Sequence, residues 1–258
     1  MPVAAPRALP VSPTGQQWLI GHGQQQAVIT EVGATLREYS IGGRALIDGF
    51  AADEWSHSGR GQVLAPWPNR LADGRYEFDG TAVQAAIDEP ERGNAIHGLV
   101  RWLPWRAHAH AQNVVSMFCE LHPTPGYPFS LELRVDYRLG RGGLTVATTA
   151  TNTGKRPLPF GLGFHPYLTV GTESVDTAVL SLPATNRLVL DDRAIPTGGV
   201  RAVAGTEYDF TSARWIGPTR LDTAYTDLVR DDTGRAWATL VNPVDDVSVV
   251  SSGTFDVA

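Results

Sequence analysis

Two histidines of this chain sit where their neighbours leave an imidazole ring little freedom. His97 lies in Asn94-Ala95-Ile96-His97-Gly98-Leu99-Val100-Arg101-Trp102, and His165 lies in Gly161-Leu162-Gly163-Phe164-His165-Pro166-Tyr167-Leu168. An unperturbed imidazole titrates at about pH 6.5, so two well-held rings suit proton transfer near neutrality. A third segment, Ala65-Pro66-Trp67-Pro68-Asn69-Arg70-Leu71-Ala72-Asp73-Gly74, carries an indole at Trp67 with a face of the kind sugars stack on. Asn69 and Arg70 in the same segment supply amide and guanidinium donors to hydroxyl groups. Taken singly, each segment also has a plainer reading. A lone histidine is more often structural, and a Pro-x-Pro run is often a rigid corner beside a solvated arginine.

The elements that must hold these residues are strands. Val28–Val32, Thr35–Tyr39, Ser130–Tyr137 and Leu144–Thr148 alternate apolar and polar side chains with the period of two that a half-buried strand needs. No window sustains helical spacing, because Gly or Pro interrupts it almost everywhere. With 27 Gly and 18 Pro along 258 residues, turns recur too often for long helices. Asp73-Gly74 and Asp79-Gly80 read as hairpin turns, Gly supplying the positive φ that tight primed turns require. Arg141-Gly142-Gly143 and Asn152-Thr153-Gly154 bracket another strand in the same way. The expected fold class is all-β, a large antiparallel sandwich formed by one domain over residues 12–258. Residues 1–11 read as a flexible lead-in.

Composition narrows the partners. Apolar residues make up 42% and charged residues 19%, enough for a substantial core, and 21 basic against 27 acidic residues give a net charge of −6. A mildly acidic chain does not offer the basic stripe that phosphate backbones require, so nucleic acid is not the expected partner. A sugar or another neutral small molecule fits better. The single Cys119 has no disulfide partner in the chain and reads as a buried residue in an apolar strand. No Cys/His cluster suggests a metal, no apolar run is long enough to cross a bilayer, and the N-terminus does not have the form of a secretory signal. The expectation is a cytoplasmic protein without metal or cofactor.

In combination the three segments resemble the aldose 1-epimerase (galactose mutarotase) family, in particular its bacterial members with a Pro-Trp-Pro-Asn-Arg segment. The matches run in order along nearly the whole chain. They are Pro66 to Arg70 with Asp73-Gly74, Asn94 to Trp102, Pro125-Gly126-Tyr127-Pro128-Phe129, His165-Pro166-Tyr167, and Leu221-Asp222-Thr223-Ala224-Tyr225. The resemblance implies a large antiparallel β-sandwich, the supersandwich of galactose mutarotases, whose concave face holds an aldohexose such as galactose or glucose. It also implies acid/base ring opening of the free sugar and reclosure to the other anomer. By the same resemblance, His165 is the general acid at the ring oxygen and His97 the second active-site histidine. Arg70 contacts sugar oxygens and Asp222 accepts sugar hydroxyl protons. Asn69 and Trp67 are added as neighbours of Arg70.

One departure from the family pattern carries its own expectation. The family's general base is a glutamate near the C-terminus, whereas the last glutamate here is Glu207, which precedes the Asp222 motif. Asp256 is the late carboxylate, and its side chain is shorter. On this reading the last strands are absent and turnover is impaired. A non-catalytic carbohydrate-binding protein of the same fold is therefore the rival. An epimerase of phosphorylated hexoses would call for more basic residues than Arg70, Arg92 and Arg101. Glu89-Pro90-Glu91-Arg92 reads as a solvated loop near the site entrance, and His22, His57, His108, His110 and His122 as surface or structural residues.

Overall fold

Alternation decides the architecture. In the computed structural model, which describes residues 12–253, strands are joined by loops and by two short 3-10 turns. The lead-in expected over residues 1–11 and the late carboxylate Asp256 lie outside the described residues. The strand Leu131–Gly140 shows the principle: Leu131, Leu133, Val135, Tyr137 and Leu139 are buried on one face, and Arg134 and Arg138 are exposed on the other. Full burial of each such leucine contributes roughly 2 kcal/mol.

This strand is third in an antiparallel sheet ordered Arg106–Ala111, Val114–Leu121, Leu131–Gly140, Gly143–Asn152. A second antiparallel sheet, Gln17–His22, Gln25–Thr30, Leu36–Ile41, Arg44–Ala45, covers its apolar face. Ile20, Ile29, Met117, Leu131 and Leu133 meet between the two in one core. The buried Tyr137 hydroxyl donates to the Ala34 carbonyl at 2.7 Å, which ties the layers together without leaving a buried polar group unpaired. Cys119 lies in this core, and burial pushes its thiol up to about 11, so it packs as a small apolar residue.

Two further antiparallel sheets follow. One is ordered Arg214–Trp215, Val179–Ser181, Ala236–Asn242, Val247–Gly253, and the other Pro196–Ala202, Ala184–Leu190, Tyr225–Leu228. Val170, Ala178, Phe210 and Ile216 centre a second core cluster, and Tyr39 and Leu168 pack against both clusters. The all-β antiparallel class expected from the sequence is what forms. Among the described residues, no helix is long and apolar enough to cross a membrane.

The two Asp-Gly turns divide. Asp79 and Gly80, at φ +50° and +70°, close a two-residue hairpin in which Phe78 pairs with Thr81. Asp73-Gly74 also has positive φ at both residues, yet it closes no hairpin: the strand before it, Arg70–Ala72, pairs with Asn94–Ile96, and the strand after it, Arg75–Phe78, pairs with Thr81–Gln84. The turn hands the chain from one ribbon to another, a choice made by distant pairing rather than by turn chemistry.

Candidate active site

Three segments distant in sequence clasp one another here, and backbone pairing does most of the work. In the ribbon of Arg70–Ala72 with Asn94–Ile96, Arg70 faces Ile96, which sets Asn69 opposite His97. The His97 N–H donates to the Asn69 carbonyl at 2.8 Å, and the Asn69 N–H donates back to His97 Nδ1 at 3.1 Å. Both residues are left-handed, with φ of +59° at Asn69 and +64° at His97. Asparagine accepts that conformation readily, whereas for histidine it costs about 1–2 kcal/mol, which the reciprocal bonds help to offset.

Gly98 continues the left-handed turn at φ +70° and bridges to Ala65, whose carbonyl would collide with any Cβ placed there. That carbonyl also accepts from the Leu99 N–H at 2.7 Å. From the other side, the Gly161 N–H donates to the Pro66 carbonyl at 2.7 Å, and Gly163 lies so close to Pro68 that a Cβ would come within 2.8 Å of its ring. Small residues at 98, 161 and 163 thus let the Pro66–Arg70 corner seat against both histidine segments.

His165 follows the short strand Gly163–Phe164, which pairs with Val63–Leu64. Its N–H donates to the Gln62 carbonyl at 3.2 Å and its carbonyl accepts from Gly61 at 2.8 Å, fixing the backbone from both sides. The ring stacks on Tyr167, with centroids 5.2 Å apart and planes at 21°, and meets His97 edge-on at 5.5 Å and 81°. Tyr167 is pinned in turn: its hydroxyl donates to the Ser58 carbonyl at 3.3 Å, and the Arg60 guanidinium lies 4.6 Å from its ring centre. Phe164 itself is exposed.

Because His97 Nδ1 accepts a backbone N–H, the neutral ring carries its proton on Nε2. Burial, then the neighbouring His165, Arg101 and Arg70, lower its pKa from 6.5 to about 4, against an opposing contribution from Asp88. His97 is therefore neutral at physiological pH and is built to donate one hydrogen bond from Nε2. Asp88 is itself engaged, accepting from the Ile96 N–H at 2.7 Å and pairing with Arg101 at 2.7 Å.

Arg70 is held by a residue that the sequence reading placed in solvent. Glu89 is buried, not part of a solvated loop, and its carboxylate receives Arg70 Nε at 2.8 Å and Nη2 at 2.9 Å in a bidentate pair. Asn94, also buried, donates to the same carboxylate at 2.9 Å. The hydrogen bond from Arg70 holds Glu89 below the usual carboxylate range, and the same bond pushes Arg70 further up. The physical reason for the correction is pairing: a carboxylate leaves water when a guanidinium meets both of its oxygens.

Asn69 is exposed, and its side-chain oxygen accepts from Arg70 Nη1 at 3.2 Å. Asp222 is exposed on the loop before the strand Tyr225–Leu228, and its charge acts on Arg70 without a hydrogen bond between them. Trp67 is half-buried against the main core, with its indole N–H unpaired among the described residues. Tyr127 and Phe129, from another matching segment, are core residues that meet edge to face at 5.0 Å. His57, His108, His110 and His122 are exposed and His22 is half-buried. Among the described residues, no group of three His, Cys, Asp or Glu side chains could hold a metal ion.

Residues 16–256 match the family model of aldose 1-epimerase, and the chain belongs to that family. It is similar to the uncharacterized protein YihR of Escherichia coli (strain K12), at 36% identity over 210 residues, covering 81% of this chain and 68% of that protein. It is similar to the aldose 1-epimerase of the same organism at 29% identity over 163 residues, covering 60% of this chain and 46% of that enzyme. The chain thus spans about half the length of that curated enzyme. The fold matches the crystal structure of the GalM/aldose epimerase homologue from C. elegans with a TM-score of 0.78 at 22% identity, covering 87% of this chain and 74% of that one.

Proposed function

We propose that this chain interconverts the α and β anomers of a free aldohexose, with His165, His97 and Arg70 as its working residues. The observation that carries the reading is the edge-on pair of His97 and His165 beside Arg70. In the reaction, the O1 proton leaves to a solvent water acting as base as the C1–O5 bond breaks, its electrons pass to O5, and O5 takes a proton from His165. Rotation about C1–C2 and the reverse steps give the other anomer with no net change in protons. Neutral His97 donates from Nε2 to a sugar oxygen, Arg70 donates to neighbouring hydroxyls, and Asp222 accepts from another. Asn69 and Trp67 shape the rim beside Arg70.

A second reading, sugar binding without turnover, is favoured by one observation. The carboxylates most firmly placed around these residues are both committed, Glu89 to Arg70 and the Asn94 amide, and Asp88 to Arg101 and the Ile96 N–H. Polarimetry on freshly dissolved α-glucose and α-galactose, with glucose 6-phosphate alongside and calorimetry on the same sugars, separates the two. The proposal expects faster mutarotation of the free sugars, reduced about 100- to 10,000-fold in His165→Ala. Saturable binding at the spontaneous rate would establish the second reading instead, and absence of both would overturn each.

A further inference from the structure

We infer that Glu89 is a positioning residue that aims Arg70 at the sugar, and that Arg193, reaching in from a distant hairpin, locks Glu89 in place. The inference rests on the proposed sugar site and adds two residues to it.

Donor counting gives the first part. A guanidinium has five N–H groups in a fixed plane. Glu89 takes Nε–H and one N–H of Nη2 on one edge, and the Asn69 side chain takes one N–H of Nη1 at 3.2 Å. One N–H remains on each of Nη1 and Nη2. Together they form the two-pronged end of the group, suited to a pair of neighbouring hydroxyl oxygens. Without Glu89 the long side chain would be free to rotate that fork away, and its five donors would have no preferred edge for the ligand.

The second part is a chain of contacts from residues about a hundred positions away. Arg193 lies in the turn between strands Ala184–Leu190 and Pro196–Ala202, where Asp191 caps the Arg193 and Ile195 N–H groups at 2.9 Å. Its Nε donates to the Arg92 carbonyl at 2.8 Å. Its Nη2 reaches the Gly93 carbonyl at 2.8 Å, Asn94 Oδ1 at 3.0 Å and Asp73 at 2.9 Å. Asn94 returns a bond to the Arg193 carbonyl at 3.0 Å while its amide also holds Glu89. The turn from Glu89 to Asn94 is closed by their own backbone bonds at 3.0 and 3.2 Å. Arg193 therefore fastens both strands of the ribbon that carries Arg70, at the end where Ala72 pairs with Asn94.

The test combines sugar binding with a direct readout of Arg70. In the wild-type protein, the Arg70 Nε–H should give a resolved, slowly exchanging NMR signal. Glu89→Gln should lose it while keeping the strand-type circular dichroism. Sugar affinity should fall about ten- to a hundredfold in Glu89→Gln but change less than twofold when the same substitution is made in Arg70→Ala. Arg193→Ala, which spares the ion pair, should weaken binding about three- to tenfold, again only with Arg70 present. It also serves if Glu89→Gln does not fold. Equal losses with and without Arg70, or an Nε–H signal indifferent to Glu89, would overturn the inference. A wild-type protein that binds no sugar while keeping the Glu89-dependent signal would defeat the proposed function but not the clamp.

Discussion

Acidification should destabilise this protein through His97 in a defined window, and the size of the effect follows from the site. The imidazole is packed against His165, with Arg101 and Arg70 nearby, and only Asp88 favours its charge. Its folded-state pKa is about 4 against an ordinary 6.5, so below pH 6.5 the unfolded chain takes up a proton that the folded chain refuses. The unfolded state then binds more protons, and stability falls as pH falls from 6.5 towards 4. At about 1.4 kcal/mol per pH unit the ceiling on the loss is about 3 kcal/mol, and because the ring is only partly buried, solvent screening reduces this to about 1–2 kcal/mol between pH 7.5 and 4.5. The assay is urea unfolding at several pH values for the wild type and for His97→Asn, since asparagine tolerates the left-handed backbone at this position. Whatever other groups contribute, the wild type should lose about 1–2 kcal/mol more than the variant over that interval. Parallel pH profiles, or an NMR titration placing His97 near 6.5, would refute the reasoning.

Other substitutions probe the scaffold. Gly98→Ala puts a methyl group against the Ala65 carbonyl at a left-handed φ, and should cost at least about 2 kcal/mol in chemical denaturation while weakening sugar binding, because His97 is its neighbour. Tyr137→Phe leaves the Ala34 carbonyl without its buried donor and should cost about 1–3 kcal/mol, with sugar affinity unchanged by calorimetry. Tyr167→Ala removes the ring stacked on His165 and should lower the mutarotation rate about tenfold or more, with a smaller effect on binding.

How much of this was legible in the sequence varies with the range over which each feature is decided. Burial of Leu131, Leu133, Val135, Tyr137 and Leu139 follows from period-two alternation within one strand, and the Asp79-Gly80 hairpin follows from two adjacent residues. The His97, His165 and Arg70 segments were visible because their residue types are unusual together, and the structure brings all three to one place. Glu89 was misplaced for the opposite reason. A Glu-Pro-Glu-Arg run reads as solvated when its neighbours alone are weighed, and its partner Arg70 lies nineteen residues away. Arg193 had no local signal, since its contacts are with residues 73 and 92–94 and arise only when the later hairpin folds back. The Asp73-Gly74 turn was mistaken for a hairpin because local geometry fixes a turn, while the partner of each strand is fixed elsewhere.

If His165 and its neighbours turn over a free aldose, they must speed the exchange of its two anomers. Saturation transfer between the α and β anomeric protons of galactose at equilibrium tests it most directly, because it reads exchange without a change of substrate or product. Exchange well above the buffer rate is expected with the wild-type protein, and exchange at or near the buffer rate with His165→Ala at equal concentration. Exchange that is as fast in His165→Ala as in the wild type, or no faster than buffer in either, would contradict it.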